Sequence, residues 1–116
     1  MSYETFDMKK KRMPTEATIS ILKQGNFGIN RKAEEFFQGA QCASLLFDRA
    51  ARKIGIRPET AAGPNTYDIR GLDGKGAMQI SGVAFLRHYG IDHKATKAYP
   101  CHWNEKEKLV EIKLGK

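Results

Sequence analysis

Cys42-Ala-Ser-Leu45-Leu46-Phe47-Asp48-Arg49-Ala-Ala-Arg52-Lys53-Ile54-Gly-Ile56-Arg57-Pro58 admits two readings that lead to different architectures. Cys42, Leu45, Leu46, Ala50 and Ile54 lie near helical spacing. Against a helix, Ile54 to Pro58 alternates and contains Gly and Pro, both unfavourable in a helix interior. Leu109-Val110-Glu111-Ile112-Lys113-Leu114 alternates more cleanly and follows a charged turn, Asn104 to Lys108. The two segments align at an offset of 56, with Phe47-Asp48 on Trp103-Asn104 and Ile54-Gly-Ile56 on Val110-Glu-Ile112. Segments related in this way should fold alike, which predicts a β-hairpin in both places.

The similarity extends outward from the hairpins. Gly25-Asn-Phe-Gly-Ile29-Asn30-Arg-Lys-Ala33 lies on Gly76-Ala-Met-Gln-Ile80-Ser81-Gly-Val-Ala84 at an offset of 51. Thr18-Ile-Ser-Ile21 lies on Thr66-Tyr-Asp-Ile69 at 48, and both alternate as strands do. The offset grows because extra residues sit in loops, at Leu72 to Gly76 and around Asp92 to Lys97. Asn30 and Ser81 suit helix N-caps, and Gly39 and Gly90 stand where a short helix would stop. Each unit reads as strand, Gly turn, short strand, short helix, strand, charged turn, strand. The expected fold is mainly β with short helices: one barrel domain over 17–116, made of two related ββαββ units at 17–58 and 64–114. Each unit alone would leave a small core and open sheet edges, which the other covers.

These residues resemble the AbrB/SpoVT/MraZ superfamily of swapped-hairpin, or looped-hinge-helix, proteins. The likeness is carried by Ile19-Ser-Ile-Leu-Lys-Gln-Gly25, Phe27-Gly-Ile29-Asn30, Leu45-Leu46-Phe47-Asp48 and Ile54-Gly-Ile56-Arg57-Pro58, with the second unit the weaker match. The resemblance implies interleaved strands, either in a homodimer or as a monomeric pseudo-dimer of tandem units. It also implies duplex DNA binding through arginines on the Gly turn and the short helix. This chain departs from that pattern: Asn26 follows Gly25 where arginine is usual, Asn30 replaces a common proline, and Glu34 and Glu35 would repel phosphate. The second unit offers Ala77, Gln79 and Arg87.

Composition narrows the function classes. The chain has 116 residues, twenty Lys/Arg against thirteen Asp/Glu, and a formal charge of +7, which favours an anionic partner. Residues 1–58 hold eleven Lys/Arg and six Asp/Glu, and 59–116 hold nine and seven. Anion binding is therefore expected from the first half. Two cysteines are too few for a disulfide-stapled scaffold and suit a cytoplasmic protein with buried thiols. No apolar run reaches the roughly 20 residues of a membrane span, so no membrane partner is expected.

The candidate DNA contacts are Lys9, Lys10, Lys11 and Arg12 in a basic tail over 1–16, then Arg31 and Lys32, with Arg49, Arg52 and Lys53 in the hairpin turn. Phe27, Phe47, Tyr67, Tyr99 and Trp103 are expected to fill the barrel. A single-strand binder would use such aromatics as stacking platforms. No catalytic residue, cofactor or metal is expected. Gly71 to Gly76 lacks the spacing of a phosphate loop. His88, His93, Cys101 and His102 lack zinc-site spacing, and Cys101 and His102 would point to opposite faces of a strand. The alternative class is a non-enzymatic protein-interaction module, such as an antitoxin-like partner or a phage or plasmid accessory protein.

Overall fold

A computed structural model describes residues 16–71 and 78–114. The chain runs β1 (Thr18–Ile21), β2 (Asn26–Ile29), a 3-10 turn (Ala33–Phe37), β3 (Cys42–Asp48), β4 (Lys53–Glu59), β5 (Thr66–Arg70), β6 (Met78–Ser81), helix α1 (Val83–His88), β7 (Lys97–Asn104) and β8 (Leu109–Lys113). The strands close into one antiparallel barrel in the order β1-β2-β6-β5-β3-β4-β8-β7. Closure within a single chain leaves no unpaired edge, which is the structural remedy for exposed strand edges.

Alternation along the strands fills the interior. Ile19 and Ile21 of β1, Phe27 and Ile29 of β2, Ile54 and Ile56 of β4, Ile80 of β6, and Val110 and Ile112 of β8 are all buried. An eight-stranded barrel is just wide enough for such side chains to fill it, so the centre is a core. Burying each of these large apolar side chains contributes about 1.5–3 kcal/mol.

Cys42 to Glu59 is a hairpin, as the sequence predicts, with Cys42 opposite Glu59 and Asp48 opposite Lys53. Its turn is closed by local polar chemistry. The Asp48 carboxylate accepts the Ala51 N–H at 3.0 Å, and Arg52 takes a left-handed φ of 56°. The β7–β8 turn repeats this, with the Asn104 side-chain oxygen accepting the Glu107 N–H at 3.0 Å and Lys108 at φ 59°. An Asx side chain that satisfies the turn backbone competes well against helix.

Two short helical segments cover the barrel's ends. The N-cap position of the 3-10 turn is Lys32, without a side-chain cap, and Asn30 acts from two residues earlier: its Oδ1 accepts the Ala33 N–H at 2.8 Å and also the Thr18 N–H at 3.1 Å. Ser81 does not cap α1. It closes β6 opposite Asn26, and Gly82 precedes the helix with no side-chain cap. Glycine is required there because a Cβ would stand 2.3 Å from the Phe27 ring. Helix α1 ends at Gly90 (φ 64°), where the Ile91 N–H reaches back to Leu86 O at 2.9 Å and the Gly90 N–H to Arg87 O at 3.2 Å. This is a Schellman ending, which glycine permits without steric cost. No helix among the described residues is long and apolar enough to cross a membrane.

Candidate nucleic-acid interface

Strand direction sorts the loops onto two rims. Because Ile21 lies opposite Lys97 and Lys53 opposite Lys113, one rim gathers the Leu22–Gly25 turn, the start of α1, the Arg49–Arg52 turn, residues 91–96 and the end of β8. Hydrogen bonds tie these segments together: Gly82 N–H to Gly25 O at 3.0 Å, Lys23 N–H to Thr96 Oγ1 at 3.2 Å, and Leu114 N–H to Arg52 O at 2.8 Å. The opposite rim holds the 3-10 turn and the Glu105–Lys108 turn, bridged by Phe36 stacked on Trp103 at 5.9 Å.

The two rims differ in charge. The second mixes signs: Lys32 pairs with Glu35 at 3.9 Å, Arg57 with Glu107 at 3.9 Å, and Lys108 with Glu105, while among the described residues Arg31 and Lys106 have no such partner. On the first rim Lys53 pairs with Glu111 at 3.7 Å. Among the described residues, Lys23, Arg49, Arg52, Lys94 and Lys97 have no carboxylate within ion-pair distance. Three of these cations lie over aromatic faces instead. The Arg49 guanidinium is 4.9 Å from the Tyr89 centroid, Arg52 is 5.7 Å from Phe47, and Lys97 Nζ is 5.4 Å from Tyr99. A ring face orients a cation without neutralising it, so the charge stays available to an incoming anion.

The expected contact residues are thus divided. Arg31 and Lys32 follow β2 to the second rim, whereas Arg49 and Arg52 follow β3 to the first. Lys53, at the same end as these two, is engaged by Glu111. Lys9, Lys10, Lys11 and Arg12 lie outside the described residues. In place of a face built by the first half, the cations that come together are Lys23, Arg49 and Arg52 from that half and Lys94 and Lys97 from the other. Nothing local in the sequence groups Lys23 with Lys97. Only the β1–β7 pairing does.

The remaining chemistry has structural roles. Cys42 is buried, and burial, reinforced by Glu16, pushes the Cys101 thiol up to about 11, far from a nucleophile's range. Cys101 stands opposite buried Ile112, while His102 Nε2 meets Glu111 Oε1 at 3.0 Å on the other face. Glu111 also accepts from Asn104 Nδ2 at 2.9 Å, and this bond is the main cause that lowers its pKa. Asn26 is the first residue of β2, with its amide 3.4 Å from Gln79. Phe27 is core, and Phe47, Tyr67, Tyr99 and Trp103 pack half-buried against it. Among the described residues no His, Cys, Asp and Glu cluster has the arrangement of a metal site. No family model, curated protein or solved structure matches the chain.

Proposed function

We propose that this chain is a duplex-DNA-binding regulator of the AbrB/SpoVT/MraZ type, built from two interleaved swapped-hairpin units, whose basic rim docks on the phosphate backbone. The two-unit reading is supported by strand register. Applying the sequence offsets of 48 and 56 to the β1–β7 pair Thr18–Pro100 gives Thr66–Ser44, a pair in β5–β3. The offset of 56 turns the β3–β4 pair Cys42–Glu59 into Ala98–Gly115, on the same diagonal as the β7–β8 pair Cys101–Ile112. The β2–β6 ladder is symmetric about Gly28–Gln79 and the β4–β8 ladder about Gly55–Glu111, residues related by 51 and 56. One ladder departs: β5–β6 pairs Ile69 with Ile80, two residues from the register that β1–β2 implies.

The observation that carries the function is the cluster of Lys23, Arg49, Arg52, Lys94 and Lys97 on one rim, three of them held over aromatic faces. Five cations with no ion-pair partner among the described residues form the footprint that phosphate neutralisation needs. The Gly turn lacks an arginine and Asn26 is committed to the sheet, so the contacts favour backbone over base edges. The reading is therefore of a sequence-tolerant binder.

Titrating mixed-sequence duplex against salt tests it. Four or more neutralised phosphates give a log–log slope of about −3.6 or steeper. The double variant Arg49→Gln/Lys97→Gln should reduce that slope by about 1.8, while Arg31→Gln/Lys32→Gln leaves it unchanged. Absence of duplex binding at low salt would remove the reading.

A further inference from the structure

Arg52, Lys94 and Lys97 line an open cleft of about 650 Å³ on the basic rim, with Ile91, Tyr99 and Leu114. We propose that this cleft is a binding site for a phosphate monoester, such as a nucleic-acid terminus or a free nucleotide. The proposal goes beyond docking on a duplex backbone, which presents singly charged diesters on a convex surface. A monoester carries up to two charges and three terminal oxygens, and a recess admits it where a smooth duplex face is held outside.

The opposite rim supplies an internal control. A cleft of about 580 Å³ lies there against Gln38 and Gln41, with Arg31, Glu34 and Glu35. Gln41 and Lys97 are related by the offset of 56, and Gln38 precedes Gln41 by the same three residues that separate Lys94 from Lys97. Where one cleft has glutamines and carboxylates, the other has cations. Its one carboxylate, Asp92, accepts the Lys94 N–H at 3.0 Å and lies near enough to Tyr99 to help raise that phenol's pKa.

The cleft's walls are held in place. Thr96 Oγ1 accepts the Lys23 N–H at 3.2 Å, which leaves the hydroxyl proton to donate to a ligand oxygen. His93 Nδ1 lies 3.2 Å from Lys23 O, fixing the other side of the loop. Arg52 is anchored through its carbonyl by the Leu114 N–H at 2.8 Å, so its guanidinium projects from a constrained backbone. Tyr99 keeps its proton to a higher pH than usual, through burial and then Asp92, and offers a second hydroxyl donor. Ile91 and Leu114 add an apolar surface against which a base or sugar can rest.

The test uses the full chain and four probes: inorganic phosphate, AMP, and one duplex prepared with either 5′-phosphate or 5′-hydroxyl ends. Phosphate or AMP should shift amide resonances of Ala95 to Tyr99 but not those of Gln38 to Gln41. Lys97→Gln, which copies the opposite cleft, and Arg52→Asn, which tolerates the left-handed backbone, should each weaken AMP binding at least fivefold with the melting temperature retained. A terminal-phosphate source predicts at least threefold tighter binding of the phosphorylated duplex. AMP binding with equal affinity for both duplexes supports the site and assigns it to free nucleotide. AMP binding without any duplex binding supports the cleft and removes the DNA reading. No resonance shift with phosphate or AMP, together with equal affinity for the two duplexes, would overturn the proposal.

Discussion

Arg52 and Lys108, 56 residues apart, hold the same left-handed backbone conformation, φ 56° and 59°, at the end of their hairpin turns. Each follows an Asx residue that accepts an N–H three residues on, Asp48 in one turn and Asn104 in the other. The geometry is shared while the side chains diverge. One turn places an arginine over Phe47 on the basic rim, and the other places a lysine beside Glu105. The strained conformation therefore belongs to the turn, and only the charge distinguishes the two ends.

Replacing the left-handed lysine should stabilise the fold. Lys108→Gly removes a strain of about 1–2 kcal/mol but adds unfolded-chain entropy, for a net gain of about 0.5–1 kcal/mol. Urea denaturation checks this, and a loss of stability would show that the Lys108–Glu105 contact outweighs the strain.

Asn30 joins the start of β1 to the 3-10 turn through one side-chain oxygen, and its Nδ2 reaches Glu16 O at 3.3 Å. Asn30→Ala should cost about 1–2 kcal/mol, as the loss of a cap does elsewhere. Asn30→Asp keeps the acceptor and should recover most of that loss. Equal destabilisation by both variants would shift the weight to the Nδ2 donor.

The Cys101 thiol should resist alkylation in the native state. With its pKa pushed up to about 11 by burial, a thiol is about one-thousandth thiolate at pH 8. Denaturant should accelerate labelling by at least a hundredfold. Rapid native labelling at Cys101 would contradict the burial of that strand face.

Glu111 links the barrel wall to acid stability. Its folded pKa is lowered, chiefly by the Asn104 hydrogen bond and opposed by burial, with Lys53 and His102 adding to the lowering. A lowered carboxylate contributes stability that is present above the ordinary glutamate value of about 4.3 and is lost as pH falls through the lower folded value. Glu111→Gln should lower the neutral plateau of the stability profile and, with no carboxylate left to protonate, flatten its acid limb in that window. An unchanged acid limb would rule out this linkage.

Much of the fold was legible from local pattern. Alternation at Thr18–Ile21 and Leu109–Lys113, the charged turns after Phe47 and Trp103, and the stop at Gly90 each depend on residues within one turn or one strand. Ser81 has the local preference of a cap, but its pairing with Asn26, 55 residues away, takes precedence. The basic rim escaped a linear reading for the same reason. Arg31 and Arg49 look like parts of one basic half, yet β2 and β3 carry them to opposite ends.

The order of side chains along the chain was enough to specify strands, turns and stops, since those follow from backbone dihedrals and hydrogen bonds made over a few residues. Which strands became neighbours was decided only by closing the barrel, where β1 meets β7 and β4 meets β8 around the shared core. That closure also brought Lys23, Arg52, Lys94 and Lys97 to one rim, because electrostatic fields depend on distances in space and not on separation along the sequence.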